Sequence, residues 1–288
     1  MWTTEAILQI LTSGLLIGLM FSLVAVGLNL IFGVMDIVNF AHGEFLMISM
    51  YIAYWLFTLL NLDPVYSLPI CALALFALGV ATHKLLIARI MNAPMLAQIF
   101  ATFGLMLFLQ SLAFFLWKPD YRTIGKSLLT GRIEVFDIFI GLPQLFSALG
   151  ALATAGILFF LINRTEIGRA LRATSEDREA AALMGINTDR MYALAWGLGA
   201  ACVGVAGALL ATFYPIFPQV GAVFGLTAFV VVVLGGFGSI TGAFIAGIIV
   251  GVIQVTGGIL FEPAFKNIFV YSLFLIVVFI RPQGLLGK

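Results

Sequence analysis

The sequence predicts an all-α polytopic membrane protein, and three observations carry that prediction. Mean hydropathy is +1.16. Of the 288 residues 62% are hydrophobic and only 9% are charged. The apolar residues are gathered into long runs whose lengths match a bilayer, which needs about 17–25 residues per helical span. A water-soluble domain of this length has no use for such runs.

Taken in order, the runs fall at 8–32, 42–60, 65–88, 95–117, 144–163, 191–213, 224–234, 242–257 and 266–280. Segment 224–234 is too short for a straight helix through hydrocarbon of about 30 Å, so the count is about eight or nine spans. Beside Gly235, Gly236 and Gly238 it fits a broken or re-entrant helix whose free backbone groups are covered by protein or a water-filled cavity. A tilted span followed by a turn fits equally well. Small residues four apart occur at Gly14/Gly18, Ala200/Gly204/Ala208, Gly221/Gly225 and Gly247/Gly251, where they let helices approach closely.

The charges are arranged by boundary. Arg164–Arg190, Lys84, Arg89, Arg281 and Lys288 hold the larger share of the Lys and Arg; Lys118, Arg122, Lys126, Arg132 and Lys266 hold the rest. The positive-inside rule places the larger set in the cytoplasm, with the N-terminus outside and the C-terminus inside. Residues 118–143 then form an external segment, either a small amphipathic cap or plain solvated loop. The start, Met1–Glu5, has no basic residue and lacks the pattern of a cleaved signal.

Composition excludes several classes. With a net charge of +1 and no basic patch, nucleic-acid binding is not expected. Cys71 and Cys202 both lie in spans, which argues against a disulfide framework, and His42 and His83 lack neighbours at metal-ligand spacing. No metal site and no catalytic residue is predicted. No Gly-rich phosphate loop ending in GlyLys followed by Ser or Thr is present, so the chain itself is not expected to hydrolyse ATP.

The charged stretch Arg164–Arg190 reads as a helix on the water-facing side. Thr174 and Ser175 suit an N-cap, Glu176, Asp177 and Glu179 suit a first turn, and Gly185 suits a C-terminal stop, giving a helix of about ten residues. Ala180, Leu183 and Met184 share one side, bordered by Glu176 and Glu179. Such a face either enters a partner's groove or rests on the protein's own surface.

Glu179-Ala180-Ala181, three residues more and then Gly185 resembles the cytoplasmic motif of bacterial ABC importer permeases, in which a short coupling helix docks on the ATPase. More of the chain is similar to one branch, the LivH-type permeases for branched-chain amino acids. The matching segments are PheGlyValMetAspIleValAsnPheAlaHisGlyGlu (32–44), GlyArgAlaLeuArgAlaThrSerGluAsp (168–177), LeuGlyGlyPheGlySerIleThrGlyAla (234–243) and ArgProGlnGlyLeuLeuGly (281–287). The resemblance implies one permease domain over 1–288 with a coupling loop at 164–190, in which Ser175, Glu176, Glu179, Ala180, Ala181, Leu183, Met184 and Gly185 meet the ATPase. It further implies two ATPase subunits carrying ATP and Mg, a second homologous permease subunit in a heterodimer, an external solute-binding protein, and a multi-pass location in the bacterial inner membrane.

Polar residues inside the apolar runs mark a candidate path. Asn29, Asp36, Asn39, His42 and Glu44 border the first junction, where polar groups are costly unless paired or facing a cavity. Thr227, Ser239, Thr241, Gln254 and Thr256 are uncharged groups around the short segment, able to hydrogen-bond a zwitterionic amino acid. Asn29, Asn39, His42, Glu44, Thr227, Ser239 and Thr241 form the predicted pathway set, with helix capping and interhelical contact as the competing roles. Three other functions stay open. One is an importer of urea or short amides. Another is an ion-coupled secondary transporter, against which stands the absence of Asp, Glu, Lys or Arg deep in spans three to nine, Glu44 being placed at an edge. The last is a non-transporting scaffold.

Overall fold

A computed structural model describes residues 4–125, 127–135 and 137–287. Lys126 and Lys288, both counted in the charge bias, lie outside the described residues, as does the start Met1–Thr3. Among the described residues there are seven helices long and apolar enough to cross a membrane. They are α1 (Thr4–Met35), α2 (His42–Leu60), α3 (Pro64–Ile90), α4 (Met95–Trp117), α5 (Leu142–Arg164), α8 (Thr188–Leu210) and α10 (Ile240–Leu260). Between α5 and α8 lie the short α6 (Glu166–Glu176) and α7 (Arg178–Leu183). Two shorter apolar helices, α9 (Val220–Gly235) and α11 (Lys266–Ile280), complete the set.

Segment 118–143 is more ordered than solvated loop. It contains a two-stranded antiparallel hairpin, β1 (Arg132–Val135) with β2 (Ile138–Gly141). Arg122 exchanges backbone hydrogen bonds with Ile216. The Asp63 carboxylate that caps α3 also accepts from Ser127 Oγ at 3.0 Å and Leu128 N–H. The hairpin precedes α5 and the charged loop follows it, so the two lie at opposite ends of one 23-residue helix. They define a hairpin end and a loop end for the whole molecule.

The short apolar segment is a single unbroken helix. α9 has 16 residues, about 24 Å at 1.5 Å per residue, and most of its positions are buried against other helices. It can be short because protein surrounds it, which removes the need to span free hydrocarbon. The residue after it, Gly236, has φ +100°, and the backbone N–H groups of Leu285 and Leu286 donate to Leu234 and Gly235, docking the C-terminal tail on this turn.

Close helix seams follow the small-residue rows. Gly14 and Gly18 of α1 face Val252, Ile248 and Gly251 of α10, while Gly204 of α8 meets Cys71 and Leu75 of α3. Both Cys71 and Cys202 are buried free thiols. The core fills the space among α1, α2, α8 and α9, with Trp196, Tyr51 and Phe45 its largest fully buried side chains.

The chain between α1 and α2 returns into the helix bundle. Asp36 turns it with φ +55°, and the following residues run alongside the interior of three helices. Val38 C=O accepts from Thr102 Oγ1 at 3.0 Å, Phe40 stacks on Phe229, and His42 Nε2 lies 3.0 Å from Val24 C=O. α2 therefore begins within the bundle. Gly43 makes that possible: a Cβ there would strike the Gly221 carbonyl and lie 3.0 Å from Gly225 Cα.

Candidate functional site

Two cavities flank the packed centre, one at each end. The hairpin-side cavity, about 390 Å³, lies among α1, α9, α10 and α11. Its walls include Ile17, Val223, Thr227, Gln254 and Lys266, and its aromatic residues interlock, Phe224 lying 6.1 Å from Phe21 and 5.1 Å from Tyr214. Gln254 Nε2 donates to Asn267 Oδ1 across it at 3.0 Å.

The loop-side cavity, about 480 Å³, is where distant segments of the sequence meet. Gly33 and Val34 come from the end of α1, Leu171, Arg172, Ser175 and Glu176 from α6, Phe237 to Thr241 from the α9–α10 turn, and Leu286 from the tail. All four segments that carried the family resemblance contribute to it. Asn29 organises the wall from within: its Nδ2 donates to Gly236 C=O at 3.2 Å and Ser239 C=O at 2.7 Å, and its Oδ1 accepts from Gly238 N–H at 2.7 Å. With three bonds to one turn, Asn29 is a structural clamp whose polarity is satisfied by backbone. Ser239 caps α10 by accepting from Gly242 N–H, leaving Thr241 exposed at the cavity.

The predicted coupling residues divide. In place of one helix of about ten residues, the chain forms α6 and then α7, which has six. Thr174 and Ser175 do not cap it, because their hydroxyls bond back to Ala170 and Arg172 C=O within α6. The cap is Asp177, extended at φ −154°, whose Oδ1 accepts from Glu179 N–H and Ala180 N–H, each at 2.9 Å. An Asx residue in extended conformation ends one helix and starts the next. Ser175 and Glu176 thus belong to the loop-side cavity, and Glu179, Ala180, Ala181, Leu183, Met184 and Gly185 to α7 and its stop.

α7 presents apolar side chains to the surroundings. Leu183 is 88% and Met184 83% exposed, while Ala181 on the opposite side is 3% exposed against the body. Gly185 holds φ +85°, the left-handed stop expected of it. Arg178 lies over the Tyr192 ring at 5.6 Å and 4.0 Å from Asp189, tying α7 to α8.

The other predicted pathway residues lie elsewhere. Asn39, His42 and Glu44 are buried in the bundle, away from both cavities, and Thr227 lines the hairpin-side cavity. Placing Glu44 at an edge was wrong: it is 1% exposed, because α2 starts inside the bundle. Asn39 Nδ2, His42 Nδ1 and Glu44 Oε2 have no hydrogen-bond partner among the described residues. Among the described residues no group of three His, Cys, Asp or Glu comes together to hold a metal ion. Sequence reasoning missed Arg172, Asn163 and Lys266 as cavity residues; for Arg172 the signal was present, since it lies inside a quoted motif.

Among the described residues, seven helices long and apolar enough to cross a membrane, with a half-open cavity on each side of a packed centre, mark a multi-pass membrane protein. The chain belongs to the family described as branched-chain amino acid transport system, permease component, whose model matches residues 10–278. It is 33% identical to the high-affinity branched-chain amino acid transport permease BraD of Pseudomonas aeruginosa, over 98% of this chain and 96% of that protein. LivH of Escherichia coli, a high-affinity branched-chain amino acid transport permease, is 30% identical over 98% of this chain and 96% of its own length. A probable branched-chain amino acid permease of Methanocaldococcus jannaschii is 30% identical over 92% of this chain and 88% of its own. No solved structure gave a significant match.

Proposed function

We propose that this chain is the permease subunit of an ABC importer that moves branched-chain amino acids across the bacterial inner membrane by alternating access. One observation carries the mechanism: α6, which leads directly into the exposed α7, forms a wall of the loop-side cavity. A partner ATPase that grips Leu183 and Met184 therefore moves a cavity wall, with Asp177 as the joint. ATP and Mg act on two such ATPase subunits, and this chain binds neither. A second homologous permease in a heterodimer and an external solute-binding protein complete the assembly.

In this reading the loop end faces the cytoplasm and the hairpin end faces outward. The aliphatic side chain of leucine, isoleucine or valine travels over the Phe, Leu and Ile lining, while Thr227, Ser239 and Thr241 supply uncharged hydrogen bonds at the two cavities. Asn29 supports the path by holding the α9–α10 turn. Asn39, His42 and Glu44 support it by fixing the start of α2 against α1 and α9.

The test is ATP-driven uptake by the reconstituted complex with its binding protein, using leucine, isoleucine, valine, urea and short amides. Uptake of the branched-chain set is expected. Uptake of urea or amides alone would replace the cargo, and ion-dependent flux without ATP would replace the mechanism.

A further inference from the structure

α7 has a second attachment to the body besides α6, and it runs through aromatic rings. Arg178, the first residue of α7, lies 4.0 Å from Asp189 and holds its guanidinium 5.6 Å from the centre of the Tyr192 ring, both on the first turns of α8. A cation over an aromatic face is attracted by the quadrupole of the ring. On the interior side, the Tyr192 ring lies 6.4 Å from the ring of His83, near the end of α3. Tyr192 is 4% and His83 2% exposed, so this row of contacts leads from a water-facing helix into the bundle.

His83 begins a π-helical turn, His83–Ile87, in which Ala88 N–H donates to His83 C=O. Single wide turns of this kind inside an α-helix are rare and recur at functional sites. Neither ring nitrogen of His83 has a hydrogen-bond partner among the described residues, so packing alone positions the ring and leaves it free to follow Tyr192. Beyond these rings α3 and α8 are locked together. A Cβ on Gly79 would stand 2.5 Å from Trp196 C=O, and one on Gly197 would stand 2.7 Å from Phe76. α8 also meets α1 closely: a Cβ on Gly199 would lie 2.6 Å from the Gly27 carbonyl, and Gly27 borders His42 Nε2. A displacement of Tyr192 is therefore carried, through close-packed backbone that does not deform smoothly, to the packed centre between the two cavities.

We propose that Arg178, Tyr192 and His83 are positioning residues that relay movement of α7 to the α3–α8 pair. One movement of α7 then shifts the loop-side cavity wall through α6 and the packed centre through α8. The relay makes opening of the centre conditional on movement of α7, and without it ATP is hydrolysed with less transport. This rests on the importer reading.

The experiment follows uptake and ATP hydrolysis side by side in the reconstituted complex with its binding protein, using whichever cargo of the panel above the wild type imports, and reads cargo moved per ATP. Tyr192→Leu keeps an apolar residue but removes the ring face, and Tyr192→Phe keeps the face. Tyr192→Leu should retain the ATPase subunits and their hydrolysis while the ratio falls roughly two- to fivefold, the worth of one cation–π contact, and Tyr192→Phe should keep the wild-type ratio. Arg178→Gln, at a side chain 46% exposed, should give the same loss without touching the core, so the relay is tested even where Tyr192→Leu is poorly produced. A residue that only supports the fold would lower yield and both rates together; an unchanged ratio overturns the relay, and so does equal loss in Tyr192→Leu and Tyr192→Phe. Arg178 and His83 share no hydrogen bond, ion pair or ring contact among the described residues. If they act through one relay, Arg178→Gln combined with His83→Ala loses no more than the worse single variant, whereas losses that multiply overturn it. A wild type that imports nothing with ATP overturns the importer reading and the relay with it; ATP-driven uptake with wild-type ratios in the variants overturns the relay alone.

Discussion

The loop-side cavity and the buried start of α2 are both polar interruptions of an apolar chain, yet they differ in what surrounds them. At the cavity the charges of Arg172 and Glu176 sit on exposed residues of α6 and face open volume. At the start of α2, Asn39, His42 and Glu44 are fully enclosed, and their free polar atoms face packed side chains and backbone. A polar group beside open volume can change partners during a transport cycle. One locked in a close-packed interior contributes to holding a geometry, and its removal is felt as lost stability.

The largest effect should come from breaking the buried region. Gly43→Ala drives a methyl group into the Gly221 carbonyl, backbone against backbone, with no flexible side chain to yield. The expected cost is roughly 3 kcal/mol, seen as loss of monodisperse protein in detergent. Recovery of wild-type yield and thermal stability would mean that α2 and α9 are less closely packed than described.

His42→Ala removes the contact with Val24 C=O, a carbonyl inside α1 that keeps its helical partner, at a cost of about 0.5–1.5 kcal/mol. Glu44→Ala tests the same enclosure, and reduced uptake with an intact complex is expected. If Glu44→Ala transports and melts like wild type, that residue supports neither path nor packing.

Gly185→Val is the corresponding challenge on the loop side. Among the described residues, its chain neighbours aside, no atom lies within 4 Å of the Cβ position, so the penalty is the left-handed backbone, about 1–2 kcal/mol confined to the end of α7. The bundle should be unaffected while ATPase stimulation falls. Wild-type ATPase retention and stimulation, at equal permease content, would sink the docking assignment. Asp177→Ala should act more mildly, costing about 1 kcal/mol of cap energy, and its readout is the same stimulation assay.

The smallest energetic effect accompanies the sidedness test. Leu183→Cys and Thr123→Cys are both at exposed positions and should change stability by less than about 0.5 kcal/mol. An impermeant thiol reagent applied to intact cells should mark Thr123→Cys alone. Thr174, only 3% exposed, is a poor reporter despite its place in the charged loop.

Much of the fold was legible because hydropathy is summed over contiguous residues. The run at 42–60 coincides with α2 and that at 95–117 with α4. Three of the basic residues lie at the two ends of the molecule: Arg132 is in the hairpin and Lys266 lines the hairpin-side cavity, while Arg164 ends α5 at the loop. The site was less legible. Ser175 looked like a cap for the coupling helix, since the sequence alone does not say which of Thr174, Ser175 or Asp177 leaves helical geometry. Packing of Thr174 into the body settled it in favour of Asp177.

By itself the sequence determined the membrane class, the approximate spans and the family, because each rests on composition or on contiguous motifs. It also determined the Gly185 stop, which depends on one residue's freedom at positive φ. Only the tertiary structure decided that the four motifs converge on one cavity. Asn29 reaches Gly236, 207 residues away, and Gly33 meets Gly238. It also decided that the chain after Asp36 returns into the bundle and that α9 is short but continuous. The physical reason is that hydropathy reports the cost of leaving a segment in water, whereas these features depend on which backbone surfaces can approach, and that is set by side chains far apart in the chain.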